Sequence, residues 1–212
     1  MNKAVLICAA GVLAWAPAAL ATGHEVYVKY GEGVNAIPWW AHPTLLSMRC
    51  QMLFDQSYIA YAGTVTEFKL EKSDAVSSTF KNVKFYLCHT GLSSFTTSFQ
   101  GNYDNNTPKM VASFASYTLP AVEGVYPVPL AETFEYNNKD NLIFEVTWES
   151  SDLSNTMCRI RDGPIDGHRC FAWDYRATTG QVSKLAYNGL IVFDKYAGVV
   201  PASLGRVKTL YR

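Results

Sequence analysis

Apolar and polar positions alternate along most of the chain with the two-residue period of half-buried strands, and helical periodicity is nearly absent. HEVYVKY at 24–30 puts Val26, Val28 and Tyr30 on one face, and MRCQMLF at 48–54 collects Met48, Cys50, Met52 and Phe54 on one side. In TVTEFKLEK at 64–72, Phe68 and Leu70 read inward and Glu67, Lys69 and Glu71 outward. VKFYLCH at 83–89 carries bulk on both faces, as a strand covered on both sides of its sheet must. LIFEVTWE at 142–149 is the strongest of all, with Leu142, Phe144, Val146 and Trp148 opposing Glu145, Thr147 and Glu149. Residues 110–114 and 126–130 are shorter candidates, and Pro120, Pro127 and Pro129 mark an edge or a crossing between sheets. The arms of CRIRDGPIDGHRC, then NGLIVFDKY at 188–196 and RVKTLYR at 206–212, complete the set. A helical turn is expected only near residues 55–60. About ten strands at this spacing predict one antiparallel all-β sandwich or barrel.

The breaks are as informative as the strands. GEGVNA at 31–36 interrupts with two glycines. IPWWAHP at 37–43 follows, and its prolines exclude a central strand. Neighbouring side chains on an extended backbone diverge, so one of Trp39 and Trp40 can enter the core while the other faces out. An outward tryptophan stacks on a sugar ring, docks on a neighbouring subunit, or packs under a loop of its own domain. HEVYVKY, joined by the glycine-bearing linker, pairs in its own sheet or adds to the open edge of another copy as a donor strand. Repeated head to tail, the second arrangement builds a filament. Val26, Val28, Tyr30, Trp39 and Trp40 are therefore the candidate subunit or ligand contacts.

Composition narrows the class. The 212 residues suffice for one β domain. Eighteen basic and eighteen acidic side chains cancel, which leaves no long-range field for nucleic acid or anionic lipid. Lys3 followed by the apolar run 4–16, with Ala19 and Ala21 at the exit, reads as a secretory signal over residues 1–21. Residues 22–44 then form the N-terminal strand and linker, and 45–212 the sandwich. The expected location is outside a bacterial cell or on its surface, with no membrane span after signal removal.

Export makes an even number of cysteines a disulfide framework. Folding DGPIDG as a hairpin tip sets Cys158 opposite Cys170, and Cys50–Cys88 follows by elimination. No zinc-like spacing, G-x-S-x-G elbow, H-E-x-x-H or phosphate loop is present, so no catalytic residue, metal or cofactor is assigned. NYDNNT and the Asp162–Asp166 loop have calcium-like oxygens, but turn chemistry accounts for them. Glu145 and Glu149 share a strand face about 13 Å apart at about 3.3 Å per residue. A glycosidase pair needs about 5–9.5 Å. They read as solvent-facing wall.

Three stretches, FKNVKFYLCHTGLSSFTTSFQGNY, ETFEYNNKDNLIFEVTW and CFAWDYRATTG, with the lead-in MRCQMLFDQS, resemble a module of exported, largely uncharacterised bacterial surface proteins. The resemblance covers about residues 45–195 and implies a jelly-roll-like β-sandwich, without an agreed activity or catalytic residues. The expectation is a disulfide-stabilised, non-enzymatic structural or interaction protein. Its partners would be other copies of itself, in a strand-exchange filament, or an extracellular polymer, as a carbohydrate-binding module.

Overall fold

The computed structural model describes residues 23–44 and 47–194. The expected signal, the last two residues of NGLIVFDKY (195 and 196) and the strand at 206–212 lie outside them. Two antiparallel sheets face each other. The first is built on Gly63–Lys72, which pairs with Gly189–Phe193, Gly124–Val128, Phe134–Tyr136 and, at Lys72, Ile160–Gly163. His24–Val28 lies outside Gly189–Phe193, and Ile160–Gly163 also holds Gly33–Asn35 and Ala186–Tyr187. The second sheet runs Thr79–Thr90, Asn141–Trp148, Met48–Phe54, Arg169–Ala172, Gln181–Ser183. Lys109–Thr118 flanks Thr79–Thr90, and Ser150–Ser151 extends the pairing on that strand. Trp40–Ala41 and Thr156–Met157 form a separate two-stranded piece. The described residues thus hold seventeen strands in three sheets against about ten expected; the excess is mostly pieces of two to five residues.

The inward faces are those the alternation predicts. Met48, Cys50, Met52 and Phe54 join Leu142, Phe144, Val146 and Trp148 in one buried core with Phe68 and Leu70 of the opposite sheet. Phe144 stacks on Phe68 across the sandwich with ring centroids 4.0 Å apart, and Phe85 tilts against it at 5.6 Å. Alternation also carries Lys72 inward, where it is fully buried; its ammonium bonds the carboxylate and carbonyl of Asp74, each at 2.6 Å. The expected turn is the four-residue helix Gln56–Ile59.

The disulfide framework is absent: Cys50, Cys88, Cys158 and Cys170 are buried free thiols. DGPIDG is no hairpin tip, because Ile160–Gly163 belongs to the first sheet and Arg169–Ala172 to the second. Gly163 serves close approach instead, since a Cβ there would overlap the Tyr30 carbonyl. Cys50 and Cys88 lie on strands separated by Asn141–Trp148. Two strand spacings put their backbones about 10 Å apart or more, beyond the roughly 7 Å a disulfide tolerates. Their side chains also enter different clusters on opposite faces. Burial pushes the Cys170 thiol up to about 11, Cys88 and Cys158 to about 12, and Cys50 further. Such thiols carry almost no nucleophilic thiolate at neutral pH.

The N-terminal strand pairs in cis, five residues deep, from His24 opposite Phe193 to Val28 opposite Gly189. Val28 is fully buried, and Val26 and Tyr30 pack on the same core. The following turn is locked by buried Asn188, which accepts from the Tyr30 N–H at 2.8 Å and donates to the Gly31 carbonyl at 2.9 Å. Trp39 and Trp40 diverge as expected. Trp39 is fully buried against Phe80, Phe85 and Tyr117, and Trp40 is half-buried. Val28 and Trp39 are therefore core residues and present no surface for a subunit or ligand.

His168 is also buried, with Nε2 2.9 Å from the Asp55 carboxylate and Nδ1 3.1 Å from the Asp166 carbonyl. Burial disfavours its charged form, but the bond to Asp55, the Asp166 carbonyl and the Asp55 charge together raise its pKa. A raised folded pKa contributes stability that is complete below the unfolded value near 6.5 and lost as pH rises through the folded one. Denaturant midpoints should therefore fall between pH 6 and 8.5, and His168→Gln should flatten that fall. For the core, Phe144→Ala should cost about 3–5 kcal/mol in urea unfolding, against under about 0.5 kcal/mol for exposed Val125→Ala.

Candidate functional site

Register assembles the site on the outer face of the second sheet. One cross-strand row reads Cys170, Gln51, Glu145, Tyr86, Met110, and the next reads Ala172, Arg49, Thr147, Lys84, Ser113. The row on the Leu53 side is apolar: Leu53, Ile143 and Cys88 are roofed by Phe95, Phe99 and Tyr103 from the segment after Thr90. That roof ends in the short 3-10 turn Gly101–Tyr103, and it converts half of a solvent face into an interior.

Glu145 lies where the roof meets the open part of the sheet, and it is only 2% exposed. Its carboxylate is compensated from three sides. Arg49 Nε donates at 3.0 Å, Gln51 Nε2 at 2.7 Å and the Tyr103 hydroxyl at 2.5 Å. Arg49 also donates to the Tyr103 hydroxyl and to the Ala177 carbonyl, both at 3.0 Å. Gln51 reaches the Phe99 carbonyl at 3.1 Å, and Asn102 Nδ2 donates to Gln51 Oε1 at 2.9 Å. Fully buried Asn102 holds the roof itself, accepting from the Thr96 N–H at 2.8 Å while its carbonyl takes the Thr90 hydroxyl at 2.8 Å. Burial, then the Glu145 charge, pushes the Tyr103 and Tyr86 hydroxyls up, so both stay protonated donors. Burial works against the Arg49 guanidinium, but Glu145 and Tyr103 raise its pKa overall.

Beside this network is an open hollow of about 260 Å³. Arg49, Glu145, Thr147 and Lys84 form its floor, the rings of Tyr86, Tyr103 and Tyr175 its aromatic part, and Gln100 and Pro108 its rim. Glu145 is its sole carboxylate. Glu149 is absent from the lining and accepts instead from Asn82 Nδ2 at 2.9 Å. Glu145 is thus an interior ion-pair partner and not solvent-facing wall.

The contacts expected from the sequence lie elsewhere. Trp40 lines a separate hollow of about 320 Å³ with Ile37, Met157 and Arg159, and meets His42 and Trp173 edge-on. Val26 and Tyr30 sit at the first sheet. Asp162 is buried whereas Asp166 is exposed near Lys184, so the two carboxylates of that loop do not converge. Asn106 bonds the Tyr103 carbonyl, which is turn chemistry, while Asp104 takes the N–H of Gly91 across the loop. Among the described residues no group of three or more His, Cys, Asp or Glu gathers to hold a metal, and no helix is long and apolar enough to cross a membrane. Arg49, Gln51, Lys84, Tyr86 and Tyr103 were missed by sequence reasoning. The available signal was that MRCQMLF and VKFYLCH place polar or aromatic side chains opposite their core positions.

No family model matches the chain, and no curated protein does. A solved structure of the cysteine protease and lectin-like domains of Cwp84, a surface-layer-associated protein of Clostridium difficile, is similar at a TM-score of 0.41 and 9% identity. The match covers 70% of this chain and 32% of that one, so the chain spans about a third of that protein's length.

Removing one partner of a buried ion pair leaves the other uncompensated. Arg49→Met should therefore destabilise by about 3 kcal/mol or more in urea unfolding, and adding Glu145→Gln should recover much of the loss.

Proposed function

We propose that the protein is an exported, non-enzymatic carbohydrate-binding module that uses the hollow on the outer face of the second sheet. One observation carries the reading. Half-exposed tyrosine rings at 86 and 175 stand over a floor of fixed hydrogen-bonding groups, in a recess the size of one or two sugar residues. Sugar rings present apolar C–H faces that stack on aromatic rings and hydroxyl edges that need oriented donors and acceptors, and this recess supplies both. Its floor is preorganised, because Arg49, Gln51, Tyr103 and Glu145 are held by one another before any ligand arrives.

The same geometry supports binding over hydrolysis. Glycosidases need two carboxylates flanking the scissile bond. This recess offers one, and its charge already serves Arg49. Strand-exchange assembly is the weaker reading: it would require releasing five paired residues from Gly189–Phe193 and the Asn188 bonds at Tyr30 and Gly31.

Affinity electrophoresis through gels containing xylan, mannan, mixed-linkage β-glucan or polygalacturonate tests the proposal. At least one polymer should retard the protein, with Tyr86→Ala and Tyr175→Ala each weakening binding by roughly tenfold. Unretarded migration in all of them would overturn it.

A further inference from the structure

The geometry points to an acidic saccharide, one bearing a uronate carboxylate, as the class of ligand this recess selects. The inference rests on the carbohydrate-binding reading and deepens it. Its ground is the distribution of charge on the floor. The Arg49 and Glu145 charges are spent on each other at 3.0 Å, and Arg49 also donates to the Tyr103 hydroxyl and the Ala177 carbonyl. Lys84 is different. It lines the recess, is half-buried, and makes no ion pair or side-chain hydrogen bond among the described residues.

The groups facing Lys84 explain why its ammonium stays free. Its cross-strand neighbours are Thr147 on one side and Ser113 on the other, neither of them charged. Glu145, one row away, is saturated by Arg49, Gln51 and Tyr103. Glu149, two residues along the strand from Thr147, is held by Asn82. The recess lining therefore carries two cations and one anion, and the uncompensated charge sits beside the Tyr86 ring, two residues away on the same strand face.

A ring stacked on Tyr86 or Tyr175 would bring a substituent at its edge to Lys84. A carboxylate there makes a charge-assisted bond, about twice as strong as a neutral one, in a half-closed site where screening is reduced. A hydroxyl in the same place gains only an ordinary hydrogen bond. Lys84 is thus the specificity-determining residue, and the tyrosines supply affinity that any sugar shares.

The test compares acidic polymers with their own neutralised forms: polygalacturonate, alginate and hyaluronate, each intact and carboxyl-reduced, by affinity electrophoresis and titration calorimetry. At least one intact polymer should bind tenfold or more tightly than its reduced form, with the preference shrinking as salt is raised. Lys84→Gln should bring the two forms to the same affinity, and Lys84→Arg should keep them apart. Circular dichroism and urea midpoints check that both variants fold. Reduced polymers binding as tightly as intact ones, or a preference unchanged in Lys84→Gln, would overturn the inference while leaving carbohydrate binding in place. Inorganic phosphate displacing the acidic polymer at equal charge concentration would show a general anion site and also overturn it. No binding to any polymer, acidic or reduced, would overturn the underlying reading itself.

Discussion

A carboxylate in the middle of a sheet that is covered on both faces must be neutralised where it stands, and Glu145 imposes that requirement on the second sheet. Its strand is buried inward by Phe144 and Trp148 and outward by the segment that Asn102 pins down. An unpaired charge in that position would cost several kcal/mol. Arg49 and Gln51 from the strand Met48–Phe54 and Tyr103 from the 3-10 turn meet the cost together. The ion pair thereby fixes the register of Met48–Phe54 against Asn141–Trp148 and the height of the 3-10 turn above them. The recess is the space left where this neutralised patch meets solvent.

The inner core was legible because alternation alone determines it. Every inward position read from MRCQMLF and LIFEVTWE, together with Phe68 and Leu70, is in the buried core. The outer face was not legible, for the converse reason: alternation says which side a residue takes but not whether another segment covers that side. Glu145 has the same pattern whether it meets water or a roof. The roof comes from 91–108, a stretch with little regular structure, and its docking depends on the buried rings of Phe95, Phe99 and Tyr103 and on Asn102, which bonds into its own loop and to Gln51. VKFYLCH did carry a sign of it, since bulk on both faces needs cover on both faces, and Cys88 and Tyr86 are where that cover ends.

The cysteines mislead through local chemistry that is sound but used differently. Asp-Gly twice within six residues has the composition of a hairpin tip, yet Gly163 admits the Tyr30 backbone and the chain crosses from one sheet to the other. With Cys158 in the inter-sheet core and Cys170 beneath the outer roof, the thiols act as small apolar side chains. Aromatic contacts contribute stability in their place, chiefly Phe68 on Phe144 between the sheets and Trp39 against Phe80 at the end of the core.

The two tryptophans illustrate how one extended segment divides its work. Trp39 closes one end of the core, and the carbonyl of Pro38 accepts from the Trp148 indole at 2.9 Å, so the segment is tied to the strand that carries Glu145. Trp40, facing the other way, is left at the surface with its edge against Trp173. Trp173 lies just beyond Arg169–Ala172, the strand whose Ala172 pairs with Arg49 and whose continuing loop delivers Tyr175 to the recess. Phe171 and Trp173 pack on the inter-sheet core while Ala172 takes the outer face and Tyr175 lines the recess, so this one segment serves both sides of the second sheet.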